Sequence, residues 1–305
     1  MRTQSIFISF CLCITMVMGC GEKEKRIETK KKVERATLLI GLIPEQNIFK
    51  QLERYESLAD YLSKRIGVNI TLKVLTRYGN IIDNFVSLGL DAAFFGSFTY
   101  TLAHKKLSVE VIARPVDDSG ISTYHGLIFV RKDSGIKTLK DMEGKRFAFV
   151  EKATTAGYLL PLAYFKENKI TDYKTYFKKT YFTGTHEDAI YDVMNQKADI
   201  GAAKNTIFYW LATIDKRITD ELVILEKSPD VPENGLALRK DLDDSIKHKL
   251  KHTLLNMHHD SEGINVLKKF GAREFIETTD DDYATVYQYA EKIKLNLTTY
   301  DYLND

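Results

Sequence analysis

Val150-Glu151-Lys152-Ala153-Thr154-Thr155-Ala156-Gly157-Tyr158 is the stretch on which the reading of this chain turns. Before it, Lys145-Arg146-Phe147-Ala148-Phe149-Val150 reads as a buried strand. After it, Tyr158, Leu159, Leu162, Ala163 and Phe165 recur at helical spacing. A strand that runs through a short polar loop into a helix presents the first helical N–H groups, which have no intrahelical partner, and the positive end of the dipole. The stretch is therefore either a plain helix start, with Thr154 or Thr155 as its N-cap, or an anion cradle built from the same groups.

The same strand–helix alternation fills the chain on both sides. Thr37 to Pro44 is an apolar run suited to a buried strand, followed by an amphipathic helix from Ile48 to Ile66 with Gly67 at its C′ position. Strands at Asn69–Thr76, Leu90–Phe95 and Val109–Pro115 alternate with helices at Gly79–Gly89 and from Gly96-Ser97 onward. This β-α-β-α-β-α-β order predicts a parallel α/β sheet with helices on both faces. Ligands of such sheets sit beyond the carboxyl ends of the strands, which singles out Tyr78 and Ser97. Tyr124 to Lys132 reads as one further strand.

A second alternation starts at Arg146 and includes the Thr154-Thr155 loop. Strands follow at Phe177–Thr183, Ala198–Ala203 and Leu222–Glu226, with helices from Thr185 to Asn195 and Thr206 to Thr213. Lys204 and Asn205 follow the Ala198–Ala203 strand. Pro229 and Pro232 bracket a crossing segment, Gly235–Leu238 reads as a return strand, and three amphipathic helices (246–257, 261–270, 281–294) complete the chain. Two lobes that exchange chain fit this order: residues 36–131 with 229–305, and residues 132–228.

The N-terminus adds an address. Arg2, the apolar run Ile6–Met18 and Gly19-Cys20 describe a secretory signal peptide over residues 1–19, too short in its apolar core to span a membrane comfortably. Gly19-Cys20 resembles a bacterial lipobox, which implies acylation of Cys20 and a lipid anchor in the membrane. Residues 20–35 then read as a charged tether. Cys11 and Cys13 fall in the discarded leader, so the mature chain has no pair to form an internal disulfide. The formal net charge of +2 gives no support to nucleic-acid binding.

Taken together, several segments resemble the substrate-binding proteins of ABC importers for phosphate, phosphite and phosphonates. They are Tyr78-Gly79-Asn80-Ile81-Ile82, Phe94 to Tyr100, Leu139 to Lys145, Thr154 to Pro161 and Gly184-Thr185-His186-Glu187. The resemblance covers about Thr37 to Tyr283. It implies a type II periplasmic-binding fold of two α/β lobes, with a small oxyanion in the cleft, ABC permease and ATPase partners, and no cofactor or catalysis. It implies ligand roles for Thr154, Thr155, Ala156 and Gly157, where the family has a Ser-Thr-Ser-Gly loop, and for Tyr78, Tyr100 and His186. Ser97 and Asn205 join them as strand-end residues. Ala156 stands where the family offers a third hydroxyl. Thr206 and Asn234, near the positions where aminoalkylphosphonate binders carry acids, are not acidic, which favours phosphite, phosphate or a simple alkylphosphonate. A sensor that reports its ligand to a membrane partner, or a binder of another small anion, is the alternative. A monomer is expected.

The remaining candidates point to ordinary surface chemistry. Lys204 could neutralise an anion, but an exposed surface lysine is the ordinary case. His248 and His252 share a helix face without the glutamate of an HExxH motif, so no metal site is expected. The G-x-S-x-G, Walker and dinucleotide-binding motifs are all missing from the sequence.

Overall fold

Residues 36–304 are described by the computed structural model. The leader, Cys20 and the tether expected over residues 1–35 lie outside the described residues. In chain order the strands are β1 (Thr37–Leu42), β2 (Asn69–Val74), β3 (Ala92–Phe95), β4 (Glu110–Val116), β5 (Thr123–Tyr124), β6 (Gly126–Arg131) and β7 (Arg146–Phe149). They continue as β8 (Lys179–Phe182), β9 (Ile200–Lys204), β10 (Leu222–Lys227), β11 (Val231–Pro232), β12 (Gly235–Leu238) and β13 (Glu274–Glu277). The helices are α1 (Ile48–Ile66), α2 (Asn80–Ser87), α3 (Ser97–Leu107), α4 (Leu160–Glu167), α5 (Tyr173–Tyr176) and α6 (His186–Met194). After them come α7 (Asn205–Ile214), α8 (Arg217–Glu221), α9 (Asp244–Asn256), α10 (Ser261–Phe270) and α11 (Ala284–Lys292).

The first sheet has the order β13-β4-β12-β3-β1-β2. Strand β1 pairs in parallel with β2 and β3, as the alternation predicts. On the other side β3 and β4 still run in the same direction but are not neighbours. The return strand β12 inserts antiparallel between β3 and β4, and β13 adds antiparallel to β4. The second sheet has the order β10-β6-β9-β7-β8, with β7 parallel to both neighbours and β6 antiparallel to both of its own.

The single strand expected over Tyr124–Lys132 is two strands in two sheets. Thr123–Tyr124 pairs with Val231–Pro232, and these two short segments cross between the lobes. Gly126–Arg131 lies inside the second sheet, so the second lobe takes in residues 126–131, which the sequence reading gave to the first. The crossover is made by Gly126, whose N–H is held by Ser228 Oγ at 2.9 Å. A Cβ on Gly126 would come within 3.3 Å of both Cα and O of Ala156, so the chain turns into the second sheet directly against the loop at 154–157.

Local sequence explains the elements that flank the cleft. Asn47 caps α1 by accepting from the N–H groups of Phe49 and Lys50 at 3.1 and 3.4 Å, and Gly67 ends that helix in the left-handed region. Tyr55 packs edge-on against Phe94 and Phe270 in the core of the first lobe. Phe147, Phe149, Phe165 and Phe177 form the aromatic centre of the second. The helix expected over 281–294 begins as a 3-10 turn at Asp280–Tyr283 and continues as α11.

Beyond α11 the chain forms a strap across both lobes. Thr298 O accepts from Lys106 Nζ (2.6 Å) and Tyr302 OH donates to Asp83 (2.7 Å), both in the first lobe. Tyr300 OH donates to Lys152 O, and Asn304 Oδ1 accepts from the Lys152 N–H, each at 3.0 Å, in the second. Among the described residues no helix is long and apolar enough to cross a membrane.

Candidate functional site

The loop at Thr154–Gly157 opens on a π-helical turn, Thr155–Leu159, which runs on into α4. Leu159 supplies the first N–H that closes onto the turn, to Thr154 O at 3.1 Å. The N–H groups of Thr155, Ala156 and Gly157 precede that bond. Neither threonine is an N-cap of the expected kind. Thr154 Oγ1 donates back to Glu151 O at 2.7 Å, and Thr155 Oγ1 accepts from the N–H of Phe98, across the cleft, at 2.8 Å. Gly157 is dictated by space: a Cβ there would meet Val150 at 2.4 Å and Thr154 Oγ1 at 2.8 Å.

The next two candidates are His186, on the same lobe as the loop, and Tyr78, on the other. His186 opens α6 after Thr185, whose hydroxyl caps the helix from Asp188 N–H at 3.0 Å. Its Nδ1 accepts the Lys204 backbone N–H at 3.2 Å, which leaves Nε2 to carry the proton of the neutral ring. Burial drives its pKa down from 6.5 to about 3, with Glu45 opposing, so the imidazole is a neutral donor at all ordinary pH values. Tyr78 lies edge-on to this ring, centroids 5.9 Å apart. Its phenol oxygen is buried and has no hydrogen-bond partner among the described residues. Burial, with Glu45 and Tyr124 nearby, holds Tyr78 protonated, well above its ordinary pKa. Tyr78 and His186 are thus two neutral hydrogen-bond donors, a set suited to an oxyanion.

Lys204, which the sequence leaves as an ordinary surface lysine, is 3% exposed. Its Nζ crosses from the end of β9 to the first lobe, where it meets Glu45 Oε1 at 3.0 Å, Asn234 Oδ1 at 3.3 Å and the Glu233 carboxylate. It also sits over the Tyr124 ring, 4.4 Å from the centroid. Burial disfavours the ammonium, but Glu233 and Glu45 outweigh it and raise the lysine above its ordinary value. The Glu45 carboxyl lies below its usual range: burial pushes it up, but Lys204 and His186 pull it down by more. Lys204, Asn205, Glu45, Glu233, Asn234 and Trp210 line part of an open cavity of about 580 Å³ between the lobes.

The other candidates divide. Ser97 is buried with its hydroxyl donating to Pro232 O at 2.5 Å, so it ties α3 to the crossing strand. Asn205 Oδ1 accepts from the His125 N–H at 3.0 Å and so orients the end of the crossing segment β5 at the cavity edge. Ala156 is buried behind β6. Tyr100 is not brought to the cleft. It stacks on Tyr283 at 4.3 Å and points toward His104 and Asp280, because its place on α3 turns it to the C-terminal helix. Tyr124, unremarked as a ligand residue in the sequence, is buried under the Lys204 ammonium and beside the Ser97 and Thr155 hydroxyls. The lobes meet through further bonds: Thr99 Oγ1 to Ala153 O (2.8 Å), Asn47 N–H to Glu187 (2.9 Å) and Gly79 N–H to Glu151 (3.4 Å). Burial lifts the Glu151 carboxyl to about 7, against the N–H groups of Gly79 and Tyr78 and the charge of Arg77.

Two α/β lobes joined by the paired crossing segments define a solute-binding protein of the type II periplasmic fold. Residues 40–283 match the family described as ABC transporter, phosphonate, periplasmic substrate-binding protein, and the chain belongs to it. It is therefore an extracytoplasmic solute-binding component of an ABC importer, in a family of transport proteins and not of enzymes. It is 26% identical over 262 residues to the phosphonates-binding periplasmic protein of Escherichia coli (strain K12), covering 84% of this chain and 77% of that one. It is 24% identical over 266 residues to PhnD1 of Prochlorococcus marinus (strain MIT 9301), named a probable ABC transporter phosphite binding protein, over 84% of this chain and 89% of that one. The structure of PhnD1 with methylphosphonate superposes with a TM-score of 0.75 over 84% of this chain and 98% of that one. The binding component of an ABC phosphonate transporter from Pseudomonas aeruginosa superposes at 0.79, with 24% identity, over 85% of this chain and 87% of that one.

Proposed function

We propose that the cleft binds a small phosphorus oxyanion (phosphite, phosphate or a simple alkylphosphonate) and that the chain presents it to its permease as a monomer held to the membrane through acylated Cys20. The observation that carries this reading is the Tyr78–His186 pair. A buried phenol with no partner among the described residues lies beside an imidazole whose proton is fixed on Nε2 by the Lys204 N–H. The N–H groups at Thr155–Gly157 lie ahead of the first bond that closes onto their turn, and Thr155 itself bonds across the lobes to Phe98. A tetrahedral oxyanion offers several acceptor oxygens to such a ring of donors, without requiring a matching full positive charge. Residues 132–228, extended by β6, form the lobe that carries the loop and His186, and the remainder carries Tyr78. Calorimetric titration of the folded protein with phosphate, phosphite, methylphosphonate and 2-aminoethylphosphonate tests the reading. Binding to at least one is expected, and heat from none of the four would refute it.

A further inference from the structure

Two carboxylates from one lobe, Glu45 and Glu233, face a single ammonium from the other, and that ammonium belongs to the protein. Glu45 follows β1 and Glu233 follows β11, whereas Lys204 ends β9 of the second sheet. The pairing forms across the cleft and is completed by Asn234 Oδ1 at 3.3 Å and the Tyr124 ring face at 4.4 Å. Carboxylates, an amide oxygen and an aromatic face together make a cation cage. The cage adjoins the donor set directly, because the Lys204 N–H bonds His186 while its side chain fills the cage. The Glu45 carboxylate is also close enough to act on both His186 and Tyr78.

We propose that Lys204 is a specificity-determining residue, whose ammonium occupies the cation cage and so reserves the cleft for oxyanions that carry no ammonium of their own. The proposal rests on the oxyanion reading of the cleft. A zwitterionic ligand would have to place its ammonium where Lys204 Nζ already sits. An anion without one meets the cage already occupied. Glu45, Glu233 and Lys204 sum to one negative charge, and removing the lysine leaves two. A cleft with that charge would repel a bare phosphonate and favour a ligand that brings a cation.

The test is calorimetry of the full chain and of Lys204→Ala with methylphosphonate and 2-aminoethylphosphonate. The wild type is expected to prefer methylphosphonate at least tenfold. Lys204→Ala is expected to reverse the order, and added ethylammonium chloride to restore methylphosphonate binding at least tenfold more than sodium chloride of equal ionic strength. Equal weakening of both ligands without rescue would make Lys204 a structural residue and overturn the proposal. So would a wild type that prefers the aminophosphonate. Should Lys204→Ala fail to fold, Lys204→Met with Glu233→Gln removes one of the exposed charges. In that variant the discrimination should shrink below threefold, and an unchanged ratio overturns the proposal. A wild type that binds neither ligand, nor phosphate or phosphite, fails at the earlier step and overturns the oxyanion reading itself.

Discussion

The backbone N–H of Phe98 donates to Thr155 Oγ1 at 2.8 Å, joining the first turn of α3 to the turn that opens at Thr155. Thr155 therefore closes the lobes through a lone pair and keeps its own proton for another acceptor. Thr155→Val removes both functions at nearly constant volume and should weaken oxyanion binding by roughly 10- to 150-fold, the worth of one hydrogen bond to a charged group. Thr155→Ser should retain most of the affinity. Titration of the two variants side by side checks this, and equal affinity for Val and Ser would remove Thr155 from the site.

Tyr78→Phe should move stability and binding in opposite directions. The phenol oxygen is buried without a partner among the described residues, so deleting it should leave stability unchanged or raise it, by up to about 1–3 kcal/mol of relieved desolvation, which thermal melts measure. Ligand affinity should fall roughly tenfold by the same principle. A variant that melts lower and binds normally would show that Tyr78 is only a core aromatic.

Glu151 and His186 give the stability opposing pH dependences. His186 has its pKa lowered from 6.5 to about 3, so the unfolded chain holds the proton between those values and stability is lost as pH falls through that window. Glu151 is raised from 4.5 to about 7, so the folded chain holds the proton there and stability is lost as pH rises through it. Between pH 4.5 and 6.5 the two oppose each other at about 1.4 kcal/mol per pH unit apiece. Thermal melts of Glu151→Gln should therefore fall on acidification from pH 6.5 to 4.5, and those of His186→Gln should rise, relative to the wild type. Parallel curves for all three proteins would contradict the assignment.

Gly157→Ala should destabilise the second lobe by about 1–3 kcal/mol, through overpacking against Val150 and Thr154. Adding Val150→Ala should recover part of the loss, which chemical denaturation measures directly. No recovery would mean that the backbone, and not the side-chain contact, requires glycine.

Removing the residues after Asn296 takes away the bonds of Tyr300 and Tyr302 that span the lobes. The truncated protein should scatter as a more open particle without ligand and release ligand faster in stopped flow. An unchanged radius and rate would leave the strap a passive surface segment.

The parts of this molecule that were legible in the sequence are those set by near neighbours. The strand–loop–helix grammar placed Thr154-Thr155 and His186 at helix starts because period and turn chemistry are local. The break at His125 was hidden, since Tyr124 to Lys132 is one unbroken β-like run and its two halves differ only in their distant partners. Tyr100 was misplaced for a similar reason: helical spacing gives a face, and the face was taken by Tyr283 from far along the chain. Lys204 reads alike on a surface and in a core. Its burial depends on Glu45 and Glu233 arriving from the other lobe, and only its place at the end of a strand hinted at the cleft.

The position of β12 has a consequence for the order of assembly. The second sheet is built from one continuous run, β6 to β10, and can form as soon as that run is present. The first cannot, because β12 separates β3 from β4 and enters only after the chain has left the second lobe. Until then β3 and β4 each have an unfilled edge, and closing the gap requires contacts of long sequence separation, which form slowly. The contiguous lobe should therefore acquire protection from hydrogen exchange first during refolding, and the lobe that carries Tyr78 should be the one at risk of mispairing on the way to the native state.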